Sequence, residues 1–505
     1  MPQTHISRQD LIEEARSVLS NLGEGTMSET AYDTAWVARI PNPSKPDEPL
    51  FPAAYDWLLK NQHADGSWGA QIPFAHDRLI STLAALVALS GSPYRRAESE
   101  PAARRAVVYL NRERVNVAND SAETVGFELV LPELIRQARG LGLRLPYDDW
   151  KFVEQLQADK LQRIPPIAVY GAPTTLTTSL EYLGDRFIPE LSSRCQCING
   201  SFGTSPSATA FAFMKSPEPG AEAYLRTVAS LHPNGGVVFL YPFELFEIAW
   251  VLYYLGDMPV GREVLGPQLN RLRSSWTRSG VSWTDKGTVA DVDDTAVVLR
   301  TLQVHERGQS PDIFTQYEAD DHFYTFPFER DPSTSANAHV LEAIRLFPGT
   351  PDLRRMSVKI VHFLGRSRIA ERYWMDKWHA SPLYGTDQAL RALAGFAPEF
   401  VRPATEWLIE TQHENGAWGF EEGTMEETAL ALSSLMTAAT ADASLRALAQ
   451  DAIARGGNHL CERLGEAEFP ALWRGKGLYT PHNIVRAITL GACYRWITEF
   501  DSAAA

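Results

Sequence analysis

The chain has few of the features that mark secreted, zinc-binding or membrane-spanning proteins. It has only four cysteines in 505 residues, and no pair has the CxxC spacing of a zinc site. No run of about 18 apolar residues occurs, so the sequence predicts no transmembrane segment. The polar N-terminus lacks the apolar core of a signal peptide. We therefore expect a cytoplasmic protein in which Cys195 and Cys197 are buried or free thiols.

The chain also has fewer basic than acidic residues. The chain has 47 basic and 62 acidic residues, which gives a formal net charge of −15. This balance argues against a broad nucleic-acid surface, so we expect no nucleic-acid partner. An anionic substrate would need a local cationic pocket. The length allows about two to four domains with large cores.

Alternating β patterns are scarce, and helical periodicity runs through nearly the whole chain. Residues 79–89, 296–302, 340–346 and 428–435 place apolar side chains three and four positions apart. Turns such as Pro233–Gly236 separate the helical stretches. The pattern predicts an all-α fold of stacked helical pairs, as in α-solenoids and α/α-barrels.

One short pattern occurs three times: Gln, three residues, Gly, a small residue, an aromatic residue and Gly. The copies are Gln62–Gly69, Gln196–Gly203 and Gln412–Gly419. Glycine permits a tight turn at a helix end, the aromatic ring packs beneath it, and Gln bonds to a free backbone group. We interpret the copies as a structural signal of helical hairpins in two related domains, because their spacing is irregular.

The densest chemical signal is the run Asp291-Val292-Asp293-Asp294 at the start of an apolar helical stretch. Aspartates often cap a helix N-terminus, which is one interpretation. The other is that crowded carboxylates cannot all ionise, so one keeps its proton and can protonate an alkene in an apolar pocket. A helix N-terminus lowers a carboxyl pKa whereas crowding and burial raise it, so these residues alone leave the balance open.

Six segments, in order along the chain, resemble those of the class II diterpene cyclases. The segments are Ala31–Ala38 (AYDTAWVA), Val125–Pro132 (VGFELVLP), Asn199–Ala210 (NGSFGTSPSATA), Tyr241–Glu247 (YPFELFE), Gly280–Leu302 (GVSWTDKGTVADVDDTAVVLRTL) and Trp374–Ser381 (WMDKWHAS). The three repeats are similar to the QW motifs of this family and of squalene–hopene cyclases. The resemblance covers residues from about 30 to 480.

The resemblance implies two α/α-barrel domains, called β and γ, without the α domain of plant bifunctional enzymes. We expect residues 1–45 to be an N-terminal segment of β, 46–255 to form γ, and 256–505 to form the part of β that carries the acidic run. Class I terpene synthases ionise the diphosphate with a DDxxD metal motif, and the chain has no such motif. The diphosphate should therefore be retained.

The resemblance also assigns roles at the site. Asp293 would be the general acid, and Asp291 and Asp294 would orient and polarise it. His339 lies about where plant relatives carry an asparagine that handles the proton through water, so it is a candidate partner of the acid. The candidates for an aromatic cavity lining that stabilises cations are Trp283, Tyr324, Phe326, Trp374, Trp378 and Tyr384.

The diphosphate needs cations, with or without Mg²⁺. Lys377 matches a lysine that the family uses for the diphosphate, and Lys160 and Arg163 are further candidates in a similar RIP segment. The family's acidic magnesium segment is reduced here, so Asp120 and Glu123 are the remaining candidate ligands.

We expect geranylgeranyl diphosphate as the substrate and a copalyl, halimadienyl or kolavenyl diphosphate as the product. A downstream class I synthase or a phosphatase would then take this product. Three alternatives remain: a farnesyl diphosphate cyclase that makes a drimane-type product, a squalene–hopene-type triterpene cyclase, and a non-enzymatic helical scaffold.

Overall fold

The computed structural model describes residues 6–112, 117, 120, 122–165, 167–305, 308–327, 329–465 and 469–500, which are mostly helical as the periodicity predicts. The first helices are α1 (Arg8–Ser20), α2 (Ala31–Ala38), α3 (Pro52–Lys60), α4 (Ala75–Ser90), α5 (Arg96–Arg112), α6 (Phe127–Gly140), α7 (Phe152–Arg163), α8 (Ile167–Tyr170), α9 (Pro189–Ser192), α10 (Pro206–Lys215) and α11 (Pro219–Ala229). The remaining helices are α12 (Glu244–Leu255), α13 (Arg262–Ser275), α14 (Val292–His305), α15 (Thr334–Ile344), α16 (Pro351–Arg366), α17 (Pro382–Leu393), α18 (Pro398–Glu410), α19 (Met425–Ala441), α20 (Ala443–Glu462) and α21 (His482–Glu499).

Short 3₁₀ and strand segments complete the structure. The 3₁₀ segments are Tyr147–Trp150, Thr175–Arg186, Ser193–Cys195 and Pro311–Tyr317. The strands form two antiparallel pairs of two residues each, namely β1 (Glu29–Thr30) with β2 (Val237–Val238) and β3 (Trp473–Arg474) with β4 (Leu478–Tyr479).

Six helices of the C-terminal half close into a ring. In ring order they are α12, α14, α15, α17, α19 and α21, and α21 packs back against α12. Helices α13, α16, α18, α20 and α1 pack around the outside of the ring. The inner helix α14 is buried on nearly every side, whereas the outer helix α16 buries a single stripe, as expected for the two layers of an α/α-barrel.

A second, smaller ring forms from the N-terminal half. Helices α2, α4 and α6, the segment Thr175–Arg186 and α10 follow one another, and α10 returns to α2. Helices α3, α5, α7 and α11 pack outside this ring. The molecule therefore has the two-barrel, all-α architecture that the resemblance implies.

Each ring has its own hydrophobic core, and the residues of these cores place both domain boundaries differently from the prediction. The core of the larger barrel consists of residues from 11–27 and 238–496, and that of the smaller barrel consists of residues from 31–237. Helix α2 therefore packs in the smaller barrel, although the prediction placed residues 1–45 with β. Helix α12 packs in the larger barrel, although the prediction placed it in γ. Strands β1 and β2 lie side by side where the chain enters and leaves the smaller barrel, and they mark the boundary.

The repeats have the structural role that the sequence predicts. Gly66, Gly200 and Gly416 have positive φ angles of 97°, 84° and 90°, which favour glycine. The Gln412 side-chain amide donates to the carbonyl of Gly416 at 2.9 Å and to that of Ala452 at 3.0 Å. It therefore ties the turn between α18 and α19 to the middle of α20.

Trp374 belongs to a diverged fourth copy of this repeat. Its indole N–H donates to the carbonyl of Leu364, ten residues earlier, at 2.7 Å. Trp418 makes the same bond to the carbonyl of Leu408, also ten residues earlier and at 2.7 Å. The prediction that Trp374 lines a cavity is therefore corrected, because its buried indole closes a turn between helices.

The cysteines divide into two kinds. Cys195 and Cys197 are buried free thiols, as predicted. A disulfide joins Cys461 on α20 to Cys493 on α21, a pairing that the sequence analysis does not predict. Among the described residues, no helix combines the length and apolar character needed to cross a bilayer.

Candidate active site

A cavity of about 290 Å³ is lined by residues of both barrels. The larger barrel contributes the acidic run at the start of α14, residues 325–327 and 329–331, and the β3–β4 hairpin. The smaller barrel contributes residues 122–126, 128 and 129, Lys160 on α7, and residues 175, 176, 178 and 179. The cavity lining runs from Met27 to Tyr479, so it brings together segments that are up to about 450 residues apart in the chain.

The side chain of Asp291 supports the N-terminus of α14. Oδ1 of Asp291 accepts the backbone N–H of Asp294 at 2.8 Å, which is the bond of a helix cap. The backbone N–H of Val292 donates to the carbonyl of Thr325 at 3.4 Å and ties the run to the neighbouring loop. The helix-cap interpretation is therefore right for Asp291, and it leaves Asp293 available for chemistry.

The surroundings of Asp291 and Asp294 favour the protonated form of each carboxyl. Burial raises the pKa of Asp291 to about 7, and the nearby Asp293 carboxyl adds to this rise. Burial, together with Asp291 and Asp293, also raises the pKa of Asp294 well above its usual range. Desolvation therefore outweighs the opposing effect of the helix N-terminus at these two positions.

Asp293 lies at the cavity and bonds to a buried histidine. Nδ1 of His339, on α15, lies 2.6 Å from Oδ1 of Asp293. The His339 side chain is 2% exposed and that of Asp293 is 11% exposed. Burial disfavours the charged imidazole, but Asp293 and Glu342 more than offset it and raise the pKa of His339. His339, which the sequence predicts to lie near Asp293, therefore contacts the Asp293 carboxyl directly.

The segment Trp374–Ser381, which contains Lys377, helps to fix the position of α15. Oδ2 of Asp376 accepts the Ser333 hydroxyl and the backbone N–H of Ser335, both at 2.9 Å, at the first turn of the helix. Oδ1 of Asp376 accepts the backbone N–H of Trp378 at 2.9 Å. One carboxylate thus fixes the start of the helix that carries His339 and the loop that carries Lys377.

Aromatic side chains form much of the cavity wall. Of the predicted set, Trp283, Phe326, Trp378 and Tyr384 line the cavity. Tyr324 does not, because it packs beside Tyr317 and its hydroxyl donates to the carbonyl of Gln316. Further aromatic residues in the wall, which the sequence analysis does not identify, are Phe239, Phe243, Phe246, Trp250, Trp473 and Tyr479.

These additional rings are held in place by neighbouring groups. The rings of Phe246 and Trp250 lie 4.2 Å apart, and the ring of Trp473 lies 5.1 Å from that of Tyr384. The Trp473 indole N–H donates to Oε1 of buried Glu426 at 2.8 Å. Fixed aromatic faces around a cavity stabilise a carbocation through the negative potential of the rings.

Lys377 lines the cavity together with its ion-pair partner. Its ammonium group contacts the Glu329 carboxylate and donates to the carbonyl of Asp331 at 2.9 Å. It also lies 4.8 Å from the centroid of the Trp378 ring. Lys377 therefore stands beside the cavity, where the sequence analysis expects a diphosphate-binding residue.

Other cationic side chains line the same cavity. Nζ of Lys160 lies 3.4 Å from Oε1 of Glu128. The Arg330 guanidinium lies 3.1 Å from Oε2 of Glu123. Arg474, which is 2% exposed, donates to the carbonyl of Asp376 at 3.2 Å. Arg330 and Arg474 were missed in the sequence because they lie outside the segments that resemble the family's diphosphate motifs.

Two predicted polar residues lie elsewhere. The exposed Arg163 donates to the carbonyl of Asp159 on its own helix and does not line the cavity. Asp120 is also absent from the cavity lining, because its carboxylate accepts the backbone N–H groups of Ala75 and His76 and contacts the His76 ring at 2.6 Å. Of the two candidate metal ligands, the structure therefore places only Glu123 at the cavity.

The donor set allows a weakly held magnesium ion. Within the described ranges, no three His, Cys, Asp or Glu side chains are arranged to hold a metal ion by themselves. Mg²⁺ commonly binds through one or two carboxylates together with phosphate oxygens and waters. Glu123 fits this mode, whereas Asp120 is already engaged at α4. Neighbouring Asn119 and Ser121 lie outside the described residues.

The comparisons with known proteins agree with this geometry. Residues 327–467 match the model of the squalene-hopene cyclase C-terminal domain. A type B diterpene cyclase of Mycobacterium tuberculosis is 33% identical over 495 residues, which covers 93% of this chain and 96% of that protein. Ent-copalyl diphosphate synthase 1 of rice is 35% identical over 379 residues, and this similarity spans 73% of this chain but 43% of the rice protein.

Solved structures extend the similarity to the whole fold. The ent-copalyl diphosphate synthase of Streptomyces platensis matches with a TM-score of 0.78 and 29% identity, covering 96% of this chain and 99% of that one. The enzyme from Arabidopsis thaliana matches with a TM-score of 0.72 and 27% identity, covering 96% of this chain and 63% of that one. Two α/α-barrels with a run of aspartates at the cavity between them are the arrangement expected of a class II terpene cyclase. The chain belongs to the bacterial-type class II diterpene cyclases.

Proposed function

We propose that the protein cyclises geranylgeranyl diphosphate by protonation and leaves the diphosphate on the product. The observation that carries this proposal is the position of Asp293, which lines an aromatic cavity and bonds to buried His339. The names of several relatives, among them ent-copalyl and (−)-kolavenyl diphosphate synthases, support a bicyclic diphosphate product.

In this mechanism Asp293 supplies the first proton. The π electrons of the terminal alkene take the acidic hydrogen, and Asp293 becomes a carboxylate beside a tertiary carbocation. With His339 as an imidazolium, its Nδ1–H donates to Oδ1 of Asp293, so it withdraws electron density before the transfer and stabilises the carboxylate afterwards. The next alkenes then attack in turn, and the reaction ends when the final cation transfers a proton to a base or to water.

The wall of the cavity would guide these steps. Rings such as Trp250, Phe246 and Trp473 present faces that stabilise positive charge and exclude water from the cation. Since Trp250 also lies 5.8 Å from the His339 ring, measured between centroids, this part of the wall is next to the acid. The first cation would therefore form beside an aromatic surface.

The cationic side chains would bind the diphosphate. Lys377, Lys160 and Arg330 each pair with a carboxylate, so a diphosphate can replace those carboxylates as the partner of the cations. A freed carboxylate such as Glu123 would be available to a magnesium ion that arrives with the diphosphate. Magnesium would add positive charge to this end of the substrate.

Product analysis tests the proposal. The purified protein would be incubated separately with geranylgeranyl, farnesyl and geranyl diphosphates, and the products would be dephosphorylated and identified by mass spectrometry. We expect a bicyclic C20 alcohol after dephosphorylation and no hydrocarbon before it. A drimane-type C15 alcohol as the main product would favour the farnesyl alternative. No cyclic product from any of these substrates would refute the proposal.

A place in a pathway follows from the same chemistry. The product would keep an allylic diphosphate, which a class I synthase can ionise or a phosphatase can hydrolyse. We therefore expect one of these two classes of enzyme to consume the product.

A further inference from the structure

Gln388 lies behind His339, on the side away from the acid. It is fully buried on α17, the next helix of the ring after α15, and it does not line the cavity. Its side-chain oxygen Oε1 is 2.8 Å from Nε2 of His339. The imidazole ring is thus held between Asp293 on one nitrogen and Gln388 on the other.

Neighbouring groups fix which way the Gln388 amide points. Its Nε2 is 3.0 Å from the Tyr254 hydroxyl and 3.3 Å from Oδ2 of Asp387. Asp387 also accepts Nε of Arg391 at 2.7 Å and the Ser434 hydroxyl at 3.1 Å, so it acts as a carboxylate acceptor. An amide nitrogen facing a carboxylate leaves the amide oxygen facing His339.

This orientation determines the protonation pattern of the imidazole. Because an amide oxygen only accepts hydrogen bonds, Nε2 of His339 must carry a hydrogen. In the neutral ring Nδ1 is then a lone pair directed at Asp293, and in the cation Nδ1–H donates to Asp293. In both states the nitrogen that changes protonation is the one that contacts the acid.

We propose that Gln388 is a positioning residue that holds His339 with Nε2 protonated, so that Nδ1 alone exchanges its proton beside Asp293. The inference rests on the proposed function, because it concerns how the acid of that reaction is controlled. Gln388 acts through His339 and touches neither substrate nor reacting atoms. Gln388 would keep Nδ1, rather than Nε2, of His339 facing Asp293 through every turnover.

The other groups that face His339 come from three helices. Asp293 approaches from α14, and Glu342 lies on the same helix as His339. From α12, the rings of Tyr253 and Trp250 lie 5.5 and 5.8 Å from the imidazole, measured between centroids.

Charged side chains lie behind the polar groups that contact Gln388. The Tyr253 hydroxyl is 2.6 Å from Oε2 of Glu342 and 3.3 Å from Oε1 of Gln388. The guanidinium groups of Arg300 and Arg391 lie 4.7 and 5.5 Å from the Tyr253 ring. Arg300 pairs with Glu342 and Arg391 pairs with Asp387, so the amide is a neutral acceptor beside two ion pairs.

Two substitutions separate positioning from simple packing. Gln388→Leu removes the acceptor, so the imidazolium loses a bond and the pKa of His339 should fall. Gln388→Glu replaces the neutral acceptor with a charged one, so the same pKa should rise. If the imidazolium is the active form, the alkaline limb of the kcat–pH profile moves to lower pH in the first variant and to higher pH in the second.

The matched control is Gln268→Leu. Gln268 is also a buried glutamine in the larger barrel, on α13, where its amide donates to the carbonyl of Leu19 at 3.0 Å. It lies outside the cavity, so its loss should leave the pH profile unchanged. For Gln388→Leu we expect kcat to fall about 10-fold to 100-fold, the range for losing a hydrogen bond to a charged group, with KM little changed.

A spectroscopic measurement tests the proposal without activity. In protein labelled with [¹⁵N]histidine, the His339 signals would be assigned by their absence from the His339→Asn variant. At high pH the neutral ring should show Nε2–H and a bare Nδ1. An Nδ1–H neutral form in the wild type would overturn the proposal, even if a Gln388 variant failed to fold. Unshifted pH profiles in both folded variants would overturn it as well.

The proposed function and the role of Gln388 can fail separately. If the wild type cyclises no prenyl diphosphate, the proposed function fails, and the nitrogen spectra still decide the tautomer. If it does cyclise one while the spectra show Nδ1–H in the neutral ring, only the role of Gln388 fails.

Discussion

Nδ1 of His339 lies 2.6 Å from Oδ1 of Asp293, and this contact joins two neighbouring helices of the larger barrel at the cavity wall. In the proposed mechanism, this contact lets one histidine govern both the strength of the acid and the stability of its conjugate base. The other Asp293 oxygen then carries the proton that reaches the substrate.

Replacing His339 should therefore slow the chemical step. For His339→Leu we expect kcat to fall about 10²–10⁴-fold, the usual contribution of an acid–base group, with a smaller change in KM. The pKa of His339 is raised in the folded protein, so the imidazolium and the activity should persist at low pH and decline as pH rises through that pKa. The variant should lack this alkaline decline. A His339→Leu enzyme with the wild-type rate and profile would remove His339 from the mechanism.

Lys377 should contribute mainly to substrate binding. Lys377→Met removes a charge beside the cavity, and we expect KM to rise about 10-fold to 100-fold, as for loss of a charged hydrogen bond. The control is Lys359→Met on α16, a lysine that pairs with Glu318 at 2.7 Å and does not line the cavity. Steady-state kinetics below saturation measure the difference. Equal behaviour of the two variants would show that Lys377 does not bind the diphosphate.

Glu123 should govern the response to magnesium. In Glu123→Gln one carboxylate at the cavity is lost, so a higher Mg²⁺ concentration should be needed for half-maximal activity. Glu222→Gln, on the outer helix α11 of the same barrel, is a control that should keep the wild-type requirement. Titration of both variants with Mg²⁺ after chelator treatment measures this. An unchanged requirement in Glu123→Gln would exclude it as a ligand.

Trp374 and Trp378 should respond differently to the same substitution. Trp374→Phe leaves the buried carbonyl of Leu364 without its donor, so stability should fall by about 1–3 kcal/mol while the product stays the same. Trp378→Phe changes the cavity wall, so the products should change with a smaller loss of stability. Denaturant unfolding and product analysis compare the two. A change of product in Trp374→Phe alone would reverse these assignments.

The parts of the site that could be predicted from the sequence stand in short contiguous segments. Asp293, Lys377 and the glycine turns fall within motifs whose spacing is visible in the chain. His339 lies outside the quoted motifs, and its approximate position relative to plant relatives was enough to suggest it.

The remaining features depend on contacts across the barrel. Gln388 is 49 residues from His339, and its role appears only when α15 and α17 pack side by side. Trp374 was misassigned because its repeat has lost the glutamine and glycine that mark the other copies. The predicted domain boundaries differ from those of the structure because the resemblance implies two barrels but does not show which core buries α2 and α12.

The most direct test of the central claim is the single-turnover rate of Asp293→Asn with geranylgeranyl diphosphate. Asparagine keeps the shape of the side chain and removes its acidic proton. We expect a folded protein that still binds the substrate, as measured by calorimetry, but cyclises it more than about 10⁴-fold more slowly, at or beyond the upper end of the usual acid contribution. Asp291→Asn and Asp294→Asn should be impaired less, because they act through Asp293. A folded Asp293→Asn protein that cyclises at near the wild-type rate would show that Asp293 is not the acid.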